Sequence, residues 1–177
     1  MAYGVVEELS VASDKDKALV RSVVSASDME NGFVFNLLTK STTAGEEEVW
    51  VATQPVTGAL TNLWMLVSPE SVYTDEKYRG IDPDVRNFLL HDGRIGTAHR
   101  IKEGDLIKVN ADAISGTVGS NTYVNATDSN WQLVWGASQT ASVVSYKLVK
   151  TTTMSVGLGG IGTNRISGYQ LECVAVA

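Results

Sequence analysis

Asn62-Leu63-Trp64-Met65-Leu66-Val67-Ser68-Pro69-Glu70 is the densest apolar run of the chain, and it stops at a proline. A strand with one wet face alternates apolar and polar residues, whereas Leu63 to Ser68 shows no alternation, so both faces of this segment are expected to be covered. The run reads as a central strand dividing two β-rich halves. It hands the chain to a charged, turn-rich stretch that reaches about Gly93.

Upstream, Tyr3 to about Ala12 is extended in character and is followed by the polar cluster Ser13-Asp14-Lys15-Asp16-Lys17. The Ser13 to Asp16 spacing fits a helix-capping box, yet Ala18 to Val24 is β-branched enough for a strand, and both readings stay open. Asp28-Met29-Glu30-Asn31-Gly32 is expected to form a hairpin turn, since Asn-Gly takes the positive φ angles of tight turns. Phe33, Phe35 and Leu37 then give Phe33–Leu38 one apolar face. The triplet Glu46-Glu47-Glu48 is a solvated rim before the strand Val49–Thr53.

Downstream, Asp82 as N-cap, Pro83 as first helical residue and Gly93 as terminator predict one short helix, with Val85, Phe88 and Leu89 on one face. Ile95, Thr97, His99 and Ile101 share a strand face, with Arg94 and Arg100 on the other. A turn at Lys102–Asp105 leads to Leu106–Val109, a hairpin-like unit. Strands are expected at Thr122–Ala126, Trp131–Trp135, Val143–Lys150, Thr151–Val156 and Ile166–Val176. The pattern is mainly β, a β-sandwich or barrel-like domain with one short helix over about 82–92. It forms one compact unit over 1–177, with room for an inserted lobe at about 69–115 and an N-terminal arm over 1–17.

Hydrophobic residues make up 44% and charged residues 19%, the composition of a globular chain. With 14 basic and 20 acidic residues the net charge is −6, which opposes nucleic-acid binding. No apolar stretch approaches the about 18 residues of a membrane-spanning helix, and residues 1–8 lack the basic start and apolar core of a signal peptide. The only cysteine, Cys173, has no partner for a disulfide or a zinc site, and folding in a reducing cytoplasm is the simplest expectation.

Gly157-Leu158-Gly159-Gly160-Ile161-Gly162 has the spacing of a dinucleotide-binding loop, but Thr163–Ala177 is strand-like and too short for a βαβ unit. A glycine loop between strands is the better reading. His91 and His99, the only histidines, match no zinc spacing; capping a helix end and standing half-buried on a strand are the expected roles. The carboxylates Asp75, Glu76, Asp82 and Asp84 suggest calcium or acid/base work, but Asp82 and Asp84 are better explained by helix capping and dipole compensation. Cys173 alternates within an apolar face, and no Gly-x-Ser-x-Gly elbow occurs, so no nucleophile is evident. Asn125-Ala126-Thr127 fits a glycosylation pattern that matters only in a secreted chain. Trp50, Trp64, Trp131 and Trp135 fit core packing better than a sugar-binding face. No catalytic residue, cofactor or metal ligand is assigned, and an enzyme is not expected.

Several stretches together resemble a family of tailed-phage head proteins, the capsid decoration or cement proteins. They are Met29-Glu30-Asn31-Gly32 before a hydrophobic strand, Glu48-Val49-Trp50-Val51-Ala52, Asn62-Leu63-Trp64 through Ser68-Pro69-Glu70, Tyr78-Arg79-Gly80-Ile81-Asp82, and Gly104-Asp105 followed by Ala111-Asp112-Ala113. The resemblance implies a virion structural protein, made in the host cytoplasm, that binds the outside of the assembled capsid. Its partners would be the major capsid protein and other copies of itself, a trimer being favoured, with neither nucleic acid nor membrane. The candidate contacts are Tyr3, Val5 and Glu7 in the N-terminal segment and Tyr73, Asp75, Lys77, Tyr78 and Arg79 in the polar loop. The alternative is a receptor- or glycan-binding head-fibre or tail module using exposed Trp and Tyr rings.

Overall fold

The computed structural model describes residues 3–68, 72–74, 80–82, 85–156 and 164–176. Its first half supplies β1 (Val6–Ser10), β2 (Val20–Val24), β3 (Val34–Lys40), β4 (Trp50–Thr53), β5 (Trp64–Leu66), β6 (Val72–Thr74), β7 (Gly80–Asp82) and β8 (Gly96–Arg100). The second half supplies β9 (Leu106–Asn110), β10 (Ile114–Ser115), β11 (Tyr123–Asn125), β12 (Leu133–Gly136), β13 (Ser145–Val156) and β14 (Asn164–Ala175). The protein is mainly β, as expected, and its strands form a closed barrel in the order β2-β4-β3-β5-β8 and a seven-stranded sheet in the order β1-β9-β14-β13-β11-β12-β10. Among the described residues, β6 and β7 pair with each other and with no other strand.

β5 has the position that its sequence demands. It lies between β3 and β8, and all of Trp64, Met65 and Leu66 are buried. Trp64 and Leu66 point into the barrel with Val23, Phe35, Ala52 and Ala98, while Met65 points out of it. Met65, Leu63, Val34 and Ile101 there join Ile107, Val109, Val124, Leu133, Tyr146, Leu171 and Cys173 of the sheet in the larger core. The barrel wall thus packs on the sheet as a second layer, and β5 is buried on both of its faces.

Several expected elements differ. The helix over 82–92 reduces, among the described residues, to a 3-10 turn at Val85–Asn87, and Asp82 ends β7 instead of capping a helix. Backbone bonds explain the outcome: Met29 N–H donates to Leu90 O (2.8 Å) and Leu90 N–H to Met29 O (2.9 Å), so Leu90 bridges to a distant segment. Phe88 and Leu90, with Met29, fill the barrel end near Leu66. The Asn31-Gly32 turn exists, with Gly32 at φ +92°, but β2 pairs with β4 and β8 and β3 with β4 and β5, so no hairpin joins β2 to β3. The turn at Lys102–Asp105 likewise carries the chain from barrel to sheet, from β8 to β9.

Asp16 settles the ambiguous segment after Ser13. Its carboxylate accepts the Ala18 N–H (2.9 Å) to cap a 3-10 turn at Lys17–Leu19, and β2 follows at once. Residues 1–17 do not form a free arm across their described length, because β1 pairs antiparallel with β9 and buries Val5 and Val6. The two strands expected at Val143–Lys150 and Thr151–Val156 are one 12-residue strand, β13, paired along its length with the 12-residue β14.

Candidate functional site

Asn110 docks the N-terminal segment. Its Oδ1 accepts the Val5 N–H (2.8 Å), and its Nδ2 donates to Tyr3 O (3.0 Å) and to Asp112 Oδ2 (3.0 Å). Gly4 N–H donates to Glu30 Oε2 (2.9 Å), whose carboxyl is raised by burial, an effect that this bond opposes and Asp112 adds to. Of the proposed contacts, Tyr3 is half-buried, Val5 is only 3% exposed, and Glu7 accepts from Lys108 Nζ (2.9 Å) on the outer sheet face. Val5 is therefore a core residue and offers no side chain to a partner. Tyr73 lies in β6, its side chain outside the described residues, as are Asp75, Lys77, Tyr78 and Arg79.

Where barrel and sheet meet, a small cleft is bordered by Glu8, Ser13, Met65, His99, Asp105 and Tyr146, among others. Glu8 Oε1 lies 2.5 Å and Ser13 Oγ 3.0 Å from His99 Nδ1. A Ser-His-acid relay needs the acid on one ring nitrogen and the hydroxyl on the other. Here both share one nitrogen, so the group ties β1 to β8 and does not activate Ser13. Asp105 is spent on backbone too: Oδ1 accepts the Ala12 N–H (2.8 Å) and Oδ2 the Lys102 N–H (2.7 Å). Burial raises its carboxyl despite these bonds. Cys173 is the buried core thiol that its strand pattern predicts, pushed up to about 12 by burial. His91 does not cap a helix; its Nδ1 stands 3.4 Å from Asp28 Oδ1 at the surface. Asn125 is buried, its Oδ1 accepting Ser145 Oγ–H (2.7 Å) and its Nδ2 donating to Ser138 O (3.1 Å).

Trp64 and Trp135 are buried, and Trp131 stacks on Phe33 with centroids 6.1 Å apart. The barrel end opposite Leu90 collects charge around two of the tryptophans. Cross-strand partners share a face, so Arg21, opposite inward Ala98, and Arg100, opposite inward Trp64, are both aimed towards the barrel interior at this end. Lys40 and Trp50 are likewise partners across β3 and β4. The Arg21 guanidinium stands 5.6 Å from the Trp64 ring centroid and Lys40 Nζ 5.9 Å from that of Trp50. Lys40 also binds Glu48 Oε2 (2.8 Å), whereas no carboxylate among the described residues pairs with Arg21 or Arg100. Arg100 borders the seam cleft as well. The spacing Arg21/Val23, Trp50/Ala52, Trp64/Leu66 and Ala98/Arg100 puts four of its members two residues from a barrel-lining position, whereas Lys40 is brought in across the bulge after Leu37.

The β13–β14 ribbon outruns its neighbours, since β11 flanks only Ser145–Lys147 and β9 only Gly168–Glu172. At its base Tyr146, Leu148, Leu171 and Cys173 face the core. Val149 is the extra residue of a bulge between Leu148 and Lys150, and beyond it the core-side positions Thr151, Thr153, Ser155, Arg165 and Ser167 are exposed. Met154 and Val156, on the other side, are buried instead. The ribbon therefore exchanges its buried face at the bulge, as the added twist of an extra residue allows. Comparison of the chain with protein-family models, curated proteins and solved structures finds no match in any of the three.

Proposed function

We propose that this protein is a phage virion structural protein that binds the outside of the assembled capsid and bridges neighbouring shell subunits. The observation that carries the reading is the β13–β14 ribbon. Beyond Lys150 it presents Thr151, Thr153 and Ser155 on an exposed face, and no described strand lies along that part of the β13 edge. An unpaired edge with exposed small polar side chains is suited to strand or surface contact with another chain. Many copies, each with a modest interface, together reinforce a shell through multivalency. Sequence segments similar to capsid decoration proteins point the same way, and the acidic balance suits a protein that never meets the packaged DNA. The polar groups of the seam cleft, committed to framework bonds, agree with an interfacial role.

The glycan-binding alternative needs adjacent exposed rings. Trp64 and Trp135 are buried and Trp131 is stacked on Phe33, which favours the capsid reading. Sedimentation with assembled shells and with unassembled subunits of the major capsid protein tests it. Cosedimentation with shells alone is expected, and a supernatant that retains all the protein would overturn the proposal.

A further inference from the structure

We infer that the barrel end formed by Arg21, Lys40 and Arg100 around Trp50 and Trp64 binds the carboxylates of an acidic polypeptide segment on a partner. A chain of net charge −6 brings these cations to one end of the barrel, and neither arginine has a carboxylate partner among the described residues. Charge complementarity thus selects an anion. Trp64 and Trp50 hold two of the cations, Arg21 and Lys40, in position: a guanidinium or ammonium over an indole face is attracted by the ring and loses little further freedom on binding. Arg21 is also anchored through Nη1, which donates to Val20 O (2.8 Å). Guanidinium edges receive carboxylates in paired hydrogen bonds.

The same geometry decides between an acidic peptide and an anionic sugar. A pyranose ring binds by lying on a free aromatic face. Trp64 is 8% exposed with Arg21 over it, and Lys40 covers Trp50, so the cations and not the rings are offered. Glu48, held by Lys40, is an internal carboxylate that an incoming one must displace. The site rests on the capsid-binding reading only for the identity of its natural partner.

Fluorescence anisotropy of a labelled hexaglutamate peptide with the intact protein tests the site without any capsid. Binding that weakens with added salt is expected, and it should fall about tenfold in Arg21→Gln and in Arg100→Gln, the loss of one charge-assisted contact each. Glu48→Gln should tighten binding by removing the internal competitor, an effect that mere loss of fold cannot produce. The inference is overturned if hexaglutamate does not bind at low salt, if the double variant Arg21→Gln/Arg100→Gln binds it as well as the parent, or if a uronic-acid oligosaccharide binds at this end in its place. Peptide binding by a protein that ignores capsids would sink the capsid reading and leave this site standing.

Discussion

Asn36 shows how one polar side chain shapes the barrel. It is 1% exposed on β3, where its Nδ2 donates to Ala59 O (2.9 Å) and Asn62 O (3.2 Å) and its Oδ1 accepts the Val56 N–H (3.0 Å). Those bonds fasten the loop that leads into β5. Asn36→Ala would strand three backbone groups, so a loss of about 2–4 kcal/mol is expected, read from the urea midpoint; an unchanged midpoint would refute the assignment. Asp105 makes a prediction about pH. Burial disfavours its carboxylate more than the Ala12 and Lys102 N–H groups favour it, so the folded protein keeps this proton to higher pH than the unfolded chain. Its contribution to stability is greatest below the ordinary aspartate value, falls as pH rises through the raised folded value, and is level above it. A carboxyl NMR titration should place Asp105 above 3.8, and Asp105→Asn should remove that part of the pH dependence. A midpoint at or below the ordinary value would contradict it.

At the level of the element, β5 is distinguished by having no side that tolerates loss. Met65 belongs to the core shared with the sheet and Leu66 to the barrel interior, so Met65→Ala and Leu66→Ala should each cost about 2–5 kcal/mol. A half-exposed strand would show one costly and one nearly neutral position, and thermal unfolding of the pair distinguishes the cases. This two-sided burial was legible in the sequence because a run without alternation has no polar face to turn towards water. Which face meets the barrel and which the sheet was not legible, because an all-apolar run does not mark its faces and the answer depends on the pairing of β5 with β3 and β8. The helix expected at 82–92 gives way to a 3-10 turn among the described residues for a related reason: caps and periodicity describe local preference, while the Met29–Leu90 bridge is a contact between segments far apart in sequence. The break expected within β13 failed similarly, since the pairing with β14 carries one strand through the bulge at Val149. The barrel-end cations are not legible in the sequence because Arg21, Lys40 and Arg100 come from three strands that only closure brings together.

For the whole molecule, the question is whether the N-terminal segment is an appendage for the shell or part of the domain. Val5 and Val6 are buried, Glu8 meets His99 across the seam, and Asn110 holds both Val5 and Tyr3. β1 is also the outermost strand beside β9, so removing it converts β9 into a new open edge. Deleting residues 1–10 should therefore cost about 3 kcal/mol or more from the two valines alone, before the lost hydrogen bonds are counted. An appendage would behave differently: the truncated protein would unfold at the parent temperature and lose only its attachment to capsids. Thermal unfolding and shell sedimentation of the same truncated protein separate the two. A lowered transition, with the remaining folded fraction still able to sediment with shells through the β13–β14 ribbon, is the outcome expected if the first strand closes the domain and the ribbon makes the contact.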